Sequence, residues 1–467
     1  MSIDEPLRRA AELAIAYRHR VAAAARTPTR PYADLLAAFD APTPETGSDG
    51  EAVIDALAHL AEPGLRATVG PRFFGWVIGA SHPVGVAADW LTAAWGQNAG
   101  NHTAAPAAAA AETVAARWLL DILDLPRSAS VGFVTGATVA NFVCLAAARG
   151  EVLRRLGWDV ETKGLFGAPP FDVVIGDDAH STVFSALQFL GLGHDRVRRV
   201  ETDDQGRVRP AAFARAMAAC DVPPVVVLQA GQLNTGAFDP MPELLAPARE
   251  RGAWIHVDGA FGLWARACPT RAALAVGVDG ADSWATDGHK WLQTPYDCGY
   301  AIVRDAAAHE RAMTIAASYL PTTQSGERDP SHFVPELSRR ARGFATWAMI
   351  RHLGRRGIAE MVERHCRLAA RIASALAAEP GVTLLNDVAL NQVVMRFGDG
   401  ESGDAATQET IRRIQDDGTI FAGGARWRGR WALRLSVISA TIDETEADRA
   451  VDAVRNAWRS VRQRDGG

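Results

Sequence analysis

Between residues 130 and 305 the chain repeats one arrangement: a short apolar run, a polar break, then a longer stretch with helical spacing. The runs are VGFV (131–134), FDVVI (171–175), RVRRV (196–200), PVVVLQ (224–229), AWIHV (253–257), DSWAT (282–286) and CGYAIV (298–303). Segments such as ATVANFVCLAAARGEVL and PAAFARAMAAC lie between them. Strands that are apolar on consecutive positions are buried on both faces, and strands alternating with helices build a mostly parallel sheet. The pattern predicts an α/β fold whose large domain carries a mostly parallel, seven-stranded sheet.

The flanks differ. Residues 1–65 show helical spacing broken by polar, proline-containing stretches (RTPTRPYAD, APTPETGSDG) and predict an arm with no core of its own. The large domain is expected over 66–340. From 341 to 467 a long helical stretch (343–379) precedes GVTLL, NQVVMRF, another helix, WALRLSV (431–437) and a final amphipathic helix. This predicts a small α+β C-terminal domain. No repeat of 20–50 residues is visible.

Composition narrows the function classes. The 467 residues are 48% hydrophobic and 22% charged, ordinary values for a soluble globular protein. A net charge of −5 gives no electrostatic reason to expect nucleic acid. No run of about 18 apolar residues suggests a membrane span. The five cysteines (144, 220, 268, 298, 366) lack CxxC or metal-type spacing, and with no apolar signal core at the start they point to a reducing cytoplasm. The arginine clusters Arg339-Arg340 and Arg355-Arg356 read as solvated helix faces.

In open α/β sheets ligands gather at the carboxyl ends of strands. The polar residues following the apolar runs are Thr135-Gly136-Ala137-Thr138, Asp177 to His180, Gln229, Asp258, and Asp287 to Lys290. Lys290 is one of two lysines among 49 basic side chains, the other being Lys163. A surface salt bridge is the ordinary role of a lysine, but in so arginine-rich a chain an interchangeable cation would be arginine. What lysine alone offers is an amine that can lose its proton and condense with an aldehyde. Asp258 ends a buried strand; it can cap a helix or hold a pyridine nitrogen protonated. His180 can be a hydrogen-bonded structural residue, or an imidazole that stacks on a planar ligand and exchanges protons near neutral pH. The turn 135–138 opens a helix, where N–H groups suit a phosphate, although any strand–turn–helix uses such residues. An aldehyde, a pyridinium and a phosphate on one small frame describe pyridoxal 5′-phosphate (PLP). A dinucleotide is disfavoured, because no G-x-G-x-x-G opens a helix after a strand.

HVDGAFG, DGHKW and DDAHSTV, with TGATVANF, resemble the group II PLP-dependent amino-acid decarboxylases of fold type I, which include the aromatic-L-amino-acid and glutamate enzymes. The likeness runs from PRFFGWVIGASHP to WALRLSV. It implies that Lys290 forms the Schiff base, Asp258 pairs with the pyridine nitrogen, and His180 stacks over the ring with Ala260 on the other face. Gly136, Ala137 and Thr138 would hold the phosphate with His289, and Gln229 would stand near the cofactor where relatives often carry Thr. Asp287 replaces an Asn of the aromatic branch, and a carboxylate there would repel a phosphate. Arg434 matches a family arginine. The resemblance further implies a homodimer with a shared active site, the N-terminal arm wrapping the partner.

The chain departs from the family in one stretch. QSGERDPSHFVPELSRRARG has no tyrosine where the aromatic branch carries the one that protonates the substrate carbon; Pro330 stands at or beside that place, His332 is the nearest donor, and Tyr319 lies upstream. Gly79 replaces a Thr that some relatives direct at the substrate carboxylate. The expected reaction is decarboxylation of an L-amino acid to an amine. Its competitors are oxidation to an aldehyde, carbon–carbon lysis or transamination on the same cofactor, and binding without turnover. Phe73, Phe74, Trp76 and Trp95 are candidates for either an apolar pocket or core.

Overall fold

The computed structural model describes residues 4–23, 27–314, 327–400 and 402–465. They form two compact units, one of Val77–Ala370 with Leu385–Val393, the other of Met1–Trp76, Arg371–Leu384 and Val394–Gly467.

The first unit is built on seven strands: β1 (Ser130–Val134), β2 (Val173–Gly176), β3 (Arg198–Val200), β4 (Val225–Gln229), β5 (Trp254–Asp258), β6 (Ser283–Asp287) and β7 (Gly299–Val303). Their order is β1-β7-β6-β5-β4-β2-β3. Neighbours are parallel except β7, which runs against both β1 and β6. Six strands therefore end at the same edge of the sheet, and β7 begins there. Val226, Ile255 and Ala285 are fully buried, as a sheet covered on both faces requires. Each such Val or Ile contributes roughly 1.5–3 kcal/mol relative to exposure. The helix Ala137–Arg155 lies along the sheet, its Val143, Cys144 and Ala147 packed in one cluster with Val227, Ala285 and Ala301. The long helix Arg342–Ala377 is interrupted at Gly354, whose φ is 61°.

The second unit carries a four-stranded sheet ordered β10-β11-β9-β8, from β8 (Val382–Leu384), β9 (Gln392–Phe397), β10 (Gly423–Trp427) and β11 (Arg430–Ser436). Its helices include Asp4–Arg20, Tyr32–Phe39, Gly50–Ala61, Gly403–Asp417 and Glu444–Asp465. Phe73 and Phe74 are core residues here, Phe73 stacking on Phe421 at 5.0 Å, while Trp76 is about half exposed. Arg434 is buried on β11, and burial pulls its guanidinium down to about 10.

Arg339 is not the solvated helical residue its sequence context suggested. It lies outside a helix and is fully buried, its Nη1 2.8 Å from Glu112 Oε2 and its Nη2 donating to Phe133 O at 2.7 Å. Glu112, also fully buried, takes Arg328 Nη1 on its other oxygen at 3.1 Å. Burial of charge this deep is tolerated only when every charge is paired. Arg340 is partly exposed and pairs with Asp89, in keeping with its surface position. Among the described residues no helix is long and apolar enough to cross a membrane.

Candidate active site

The strand ends bring the predicted residues to one edge. Gln229 and Asp258 are register partners on β4 and β5, and Asp258 pairs with Ala285 on β6, two residues before Asp287. Gly136 precedes the helix that follows β1. His180 caps the helix Ser181–Phe189, its Nδ1 accepting from Thr182 N at 3.3 Å, which leaves the proton on Nε2. His180 and Lys290 both act electrostatically on Asp258, so the imidazole, the amine and the carboxylate share one region.

Asp258 is almost fully buried. Desolvation raises its pKa first, and electrostatic attraction to His180 and Lys290 opposes that rise. Its Oδ1 accepts from Ala260 N at 3.2 Å and its Oδ2 from Asn141 Nδ2 at 3.4 Å. Behind it runs a relay whose directions follow from His256, a buried imidazole held neutral because desolvation pushes its pKa down to about 3. Trp254 Nε1 donates to Ser283 Oγ at 2.9 Å. The Ser283 hydroxyl donates to His256 Nδ1, and His256 Nε2 donates to Asn141 Oδ1, both at 2.9 Å. With its oxygen used in this way, Asn141 turns its amide N–H₂ toward Asp258. Sequence reasoning missed Asn141. Its signal was an amide one turn after Ala137 on an otherwise apolar helix face.

Asp287 ends β6 with 2% of its side chain exposed. Its Oδ1 accepts from Ala137 N, the first amide of the helix, at 2.6 Å. Its Oδ2 lies 3.0 Å from Lys290 Nζ, and His289 Nε2 lies 3.6 Å from Oδ1. His289 Nδ1 accepts from Cys298 N at 3.2 Å, so Nε2 carries the proton and faces the carboxylate. Three groups expected around a cofactor thus surround a side chain of the protein. A Cβ on Gly136 would stand 3.0 Å from His289 Cε1 and 3.3 Å from Asp287 Oδ1, so any larger residue would require those side chains to give way. Gly79, at φ +69°, packs its α-carbon against His289 O and Lys290 Cα, where any side chain would collide with backbone.

The remaining predicted residues are placed as follows. Ala260 is adjacent to Asp258, and its carbonyl accepts from Asp287 N at 2.9 Å. Gln229 is buried and donates its amide to Asp178 O at 3.3 Å, two residues from His180. Thr138 is part-buried on the first turn of the helix after β1. His332 is drawn to Glu310, Nδ1 to Oε1 at 3.0 Å. Pro330 is buried in the short 3₁₀ turn Pro330–Phe333. Tyr319 lies outside the described residues. Tyr296, which the sequence did not single out, sets its ring 4.4 Å from that of His289 and gives its hydroxyl to Ile78 O.

The family described as "pyridoxal-dependent decarboxylase conserved domain" matches residues 33–398. The aromatic-L-amino-acid decarboxylase of Rattus norvegicus is 27% identical over 436 residues, covering 90% of this chain and 88% of its own. A phenylacetaldehyde synthase from a Rosa hybrid cultivar is 29% identical over 331 residues, 68% of this chain and 63% of its own. Among solved structures, Oryza sativa TDC with PLP and tryptamine superposes with a TM-score of 0.92 at 24% identity, covering 98% of this chain and 99% of that one.

The site's donor set suits PLP. Lys290 is the one amine at the edge. Asp258 is a desolvated carboxylate that an N–H cation would stabilise. Gly136, Ala137, Gly259 and Ala260, at the helix start and just after β5, carry no side chain beyond Cβ.

Proposed function

Because the chain belongs to the pyridoxal-dependent decarboxylases, PLP enzymes that release an amino acid's carboxylate as CO₂, we propose that its substrate is an aromatic L-amino acid, converted to the corresponding amine. The carrying observation is the gathering of Lys290, Asp258 and His180 at one sheet edge. The choice of an aromatic substrate draws on the substrate class named for the rat relative.

Bound there, PLP supplies an aldehyde for the substrate's amine and a ring that takes up the electron pair left by departing CO₂. Lys290 is the amine that holds the cofactor between turnovers. Asp258, kept charged by a cationic partner, retains a proton on the ring nitrogen, and Asn141 fixes the angle of its carboxylate. His180 and Ala260 would hold the two faces of the ring, with Gln229 near them. Gly136, Ala137, Thr138 and His289 would hold the phosphate end, with Asp287 beside them.

The working form is a homodimer in the cytoplasm, residues 1–65 serving as an arm on the partner and 66–340 and 341–467 as the large and small domains. Support for the dimer comes from exposed apolar side chains: Trp90, Leu91 and Trp95 on the helix Pro83–Trp95, and Trp347. An isolated monomer would leave that surface in water.

Two measurements test the reading. Borohydride reduction of the purified protein, followed by peptide mapping, should place a phosphopyridoxyl group on Lys290; a group found only on Lys163 would remove the site. A panel of amino acids should release CO₂ with tryptophan, tyrosine, phenylalanine or 3,4-dihydroxyphenylalanine. A second reading, oxidation to an aldehyde, is favoured by one observation: Pro330, not a tyrosine, stands in the stretch where the aromatic branch has its proton donor. Consumption of O₂ in step with CO₂ would select it.

A further inference from the structure

Asp287 holds two of the groups that a bound cofactor needs. Its Oδ1 accepts the N–H of Ala137 at 2.6 Å, the first of the amides at that helix start, and its Oδ2 pairs with Lys290 Nζ at 3.0 Å. The His289 N–H faces the same carboxylate from 3.6 Å. The side chain is 2% exposed, so water screens little of its charge. A Cβ on Gly136 or Gly299 would come within 3.3 Å or 3.0 Å of Oδ1, so the two glycines leave the carboxylate its place against the helix start.

We propose that Asp287 is a built-in competitor of the cofactor's phosphate, an anion of the protein at the anion-binding start of the helix Ala137–Arg155. It makes cofactor retention weaker than the rest of the site would allow. This rests on the placement of PLP given above.

The sign of the effect follows from counting charges. When the Lys290 ammonium condenses with the aldehyde, a C=N bond forms and the carbonyl oxygen leaves as water. The nitrogen is cationic before and after, so its attraction to Asp287 is largely retained. The phosphate has no such compensation: it brings negative charge to a helix start where a carboxylate already accepts the first N–H. Like charges this close, and this poorly screened, oppose each other strongly. Occupancy by PLP would then follow its supply, with the phosphate end as the loose one.

The test is Asp287→Asn, which keeps an acceptor for Ala137 N and removes the charge. Purified wild type and variant are titrated with PLP and, separately, with pyridoxal, which has the aldehyde and ring but no phosphate. Release from the PLP-loaded protein is followed by loss of its visible absorbance. Asp287→Asn is expected to tighten PLP binding at least about tenfold, with slower release, and to change pyridoxal binding less than about threefold. Asp287→Ser should give the same ordering, guarding against a folding defect peculiar to one variant. Unchanged or weaker PLP binding in both variants overturns the inference, and so does an equal gain for PLP and pyridoxal. Borohydride reduction separates this from failure of the underlying reading: no adduct on Lys290 in wild type removes the cofactor placement itself, and the inference with it.

Discussion

Replacing Glu112 by Gln should destabilise the protein far more than the same change at Glu151. Glu112 is fully buried between Arg339 at 2.8 Å and Arg328 at 3.1 Å. Arg339 is itself fully buried and spends its other contacts on the carbonyls of Ala99 and Phe133, at 2.9 Å and 2.7 Å. The amide would leave two guanidinium groups with only carbonyl partners, that of Arg339 fully buried and that of Arg328 18% exposed. Removing one member of a buried ion pair costs about 3–5 kcal/mol.

Glu151 is also nearly buried, and its pKa is drawn down to about 2, first by the hydrogen bond from Arg154. Its partners Arg154, Arg155 and Arg311 have side chains 58%, 42% and 43% exposed, so losing the charge returns them to water. A loss of about 1 kcal/mol is expected there. Urea denaturation of both variants, followed by tryptophan fluorescence, measures the difference. A loss at Glu112 below about 1 kcal/mol, or no larger than at Glu151, would refute the reasoning. The triple variant Glu112→Leu, Arg328→Leu, Arg339→Met should recover much of the stability, because no charge is then left unpaired.

Three further outcomes are expected. Gly79→Ala should lose most bound PLP and activity, since its Cβ meets the backbone of His289 and Lys290 at a φ that L-residues disfavour; absorbance of the purified variant checks this. Lys290→Arg should keep the pairing with Asp287 and unfold within about 0.5 kcal/mol of wild type, yet form no borohydride-reducible adduct and release no CO₂. The stability contributed by two buried imidazoles should fall as pH drops from 6.5 toward 3: burial holds His256 and His309 neutral down to about 3, so the unfolded chain binds the extra protons there. The loss is about 2 kcal/mol per imidazole at pH 5, opposed by Asp239, which burial pushes up to about 7 so that the folded chain takes up its proton; a His309→Gln variant whose urea midpoint shifts between pH 7.5 and 5 as far as that of the wild type would contradict it.

Most of the seven central strands were legible as apolar runs between turn residues, a signal that survives without knowledge of neighbours; β3 (RRV) and β6 (SWATD) are more polar and were legible by their place in the alternation of strands and helices. β10 was not: Gly423-Gly424-Ala425-Arg426-Trp427 is a part-exposed edge strand with little β-branched content. Lys290, Asp258 and His180 were found by a positional rule, that chemistry gathers where parallel strands end. Asn141 escaped it by lying inside a helix. The spacing of Asp287 revealed a carboxylate, but not that it turns back to the amide of a residue 150 positions earlier. Arg339 escaped for the same reason, since its carboxylate partner is 227 residues away.

The reversed strand β7 bears on how this scaffold can change over generations. Residues before β7 leave β6 and return to the same edge, so Lys290 sits in a closed loop of 11 residues, 288–298, pinned by hydrogen-bonded strands at both ends. Loops elsewhere in the fold can lengthen at their tips without moving their roots. Here Lys290 is three residues beyond the last residue of β6, and an added residue shifts its register against His289 and Gly79. New substrate preferences are therefore expected to arise by substitution around this loop, with insertions and deletions confined to surface connections such as 156–171.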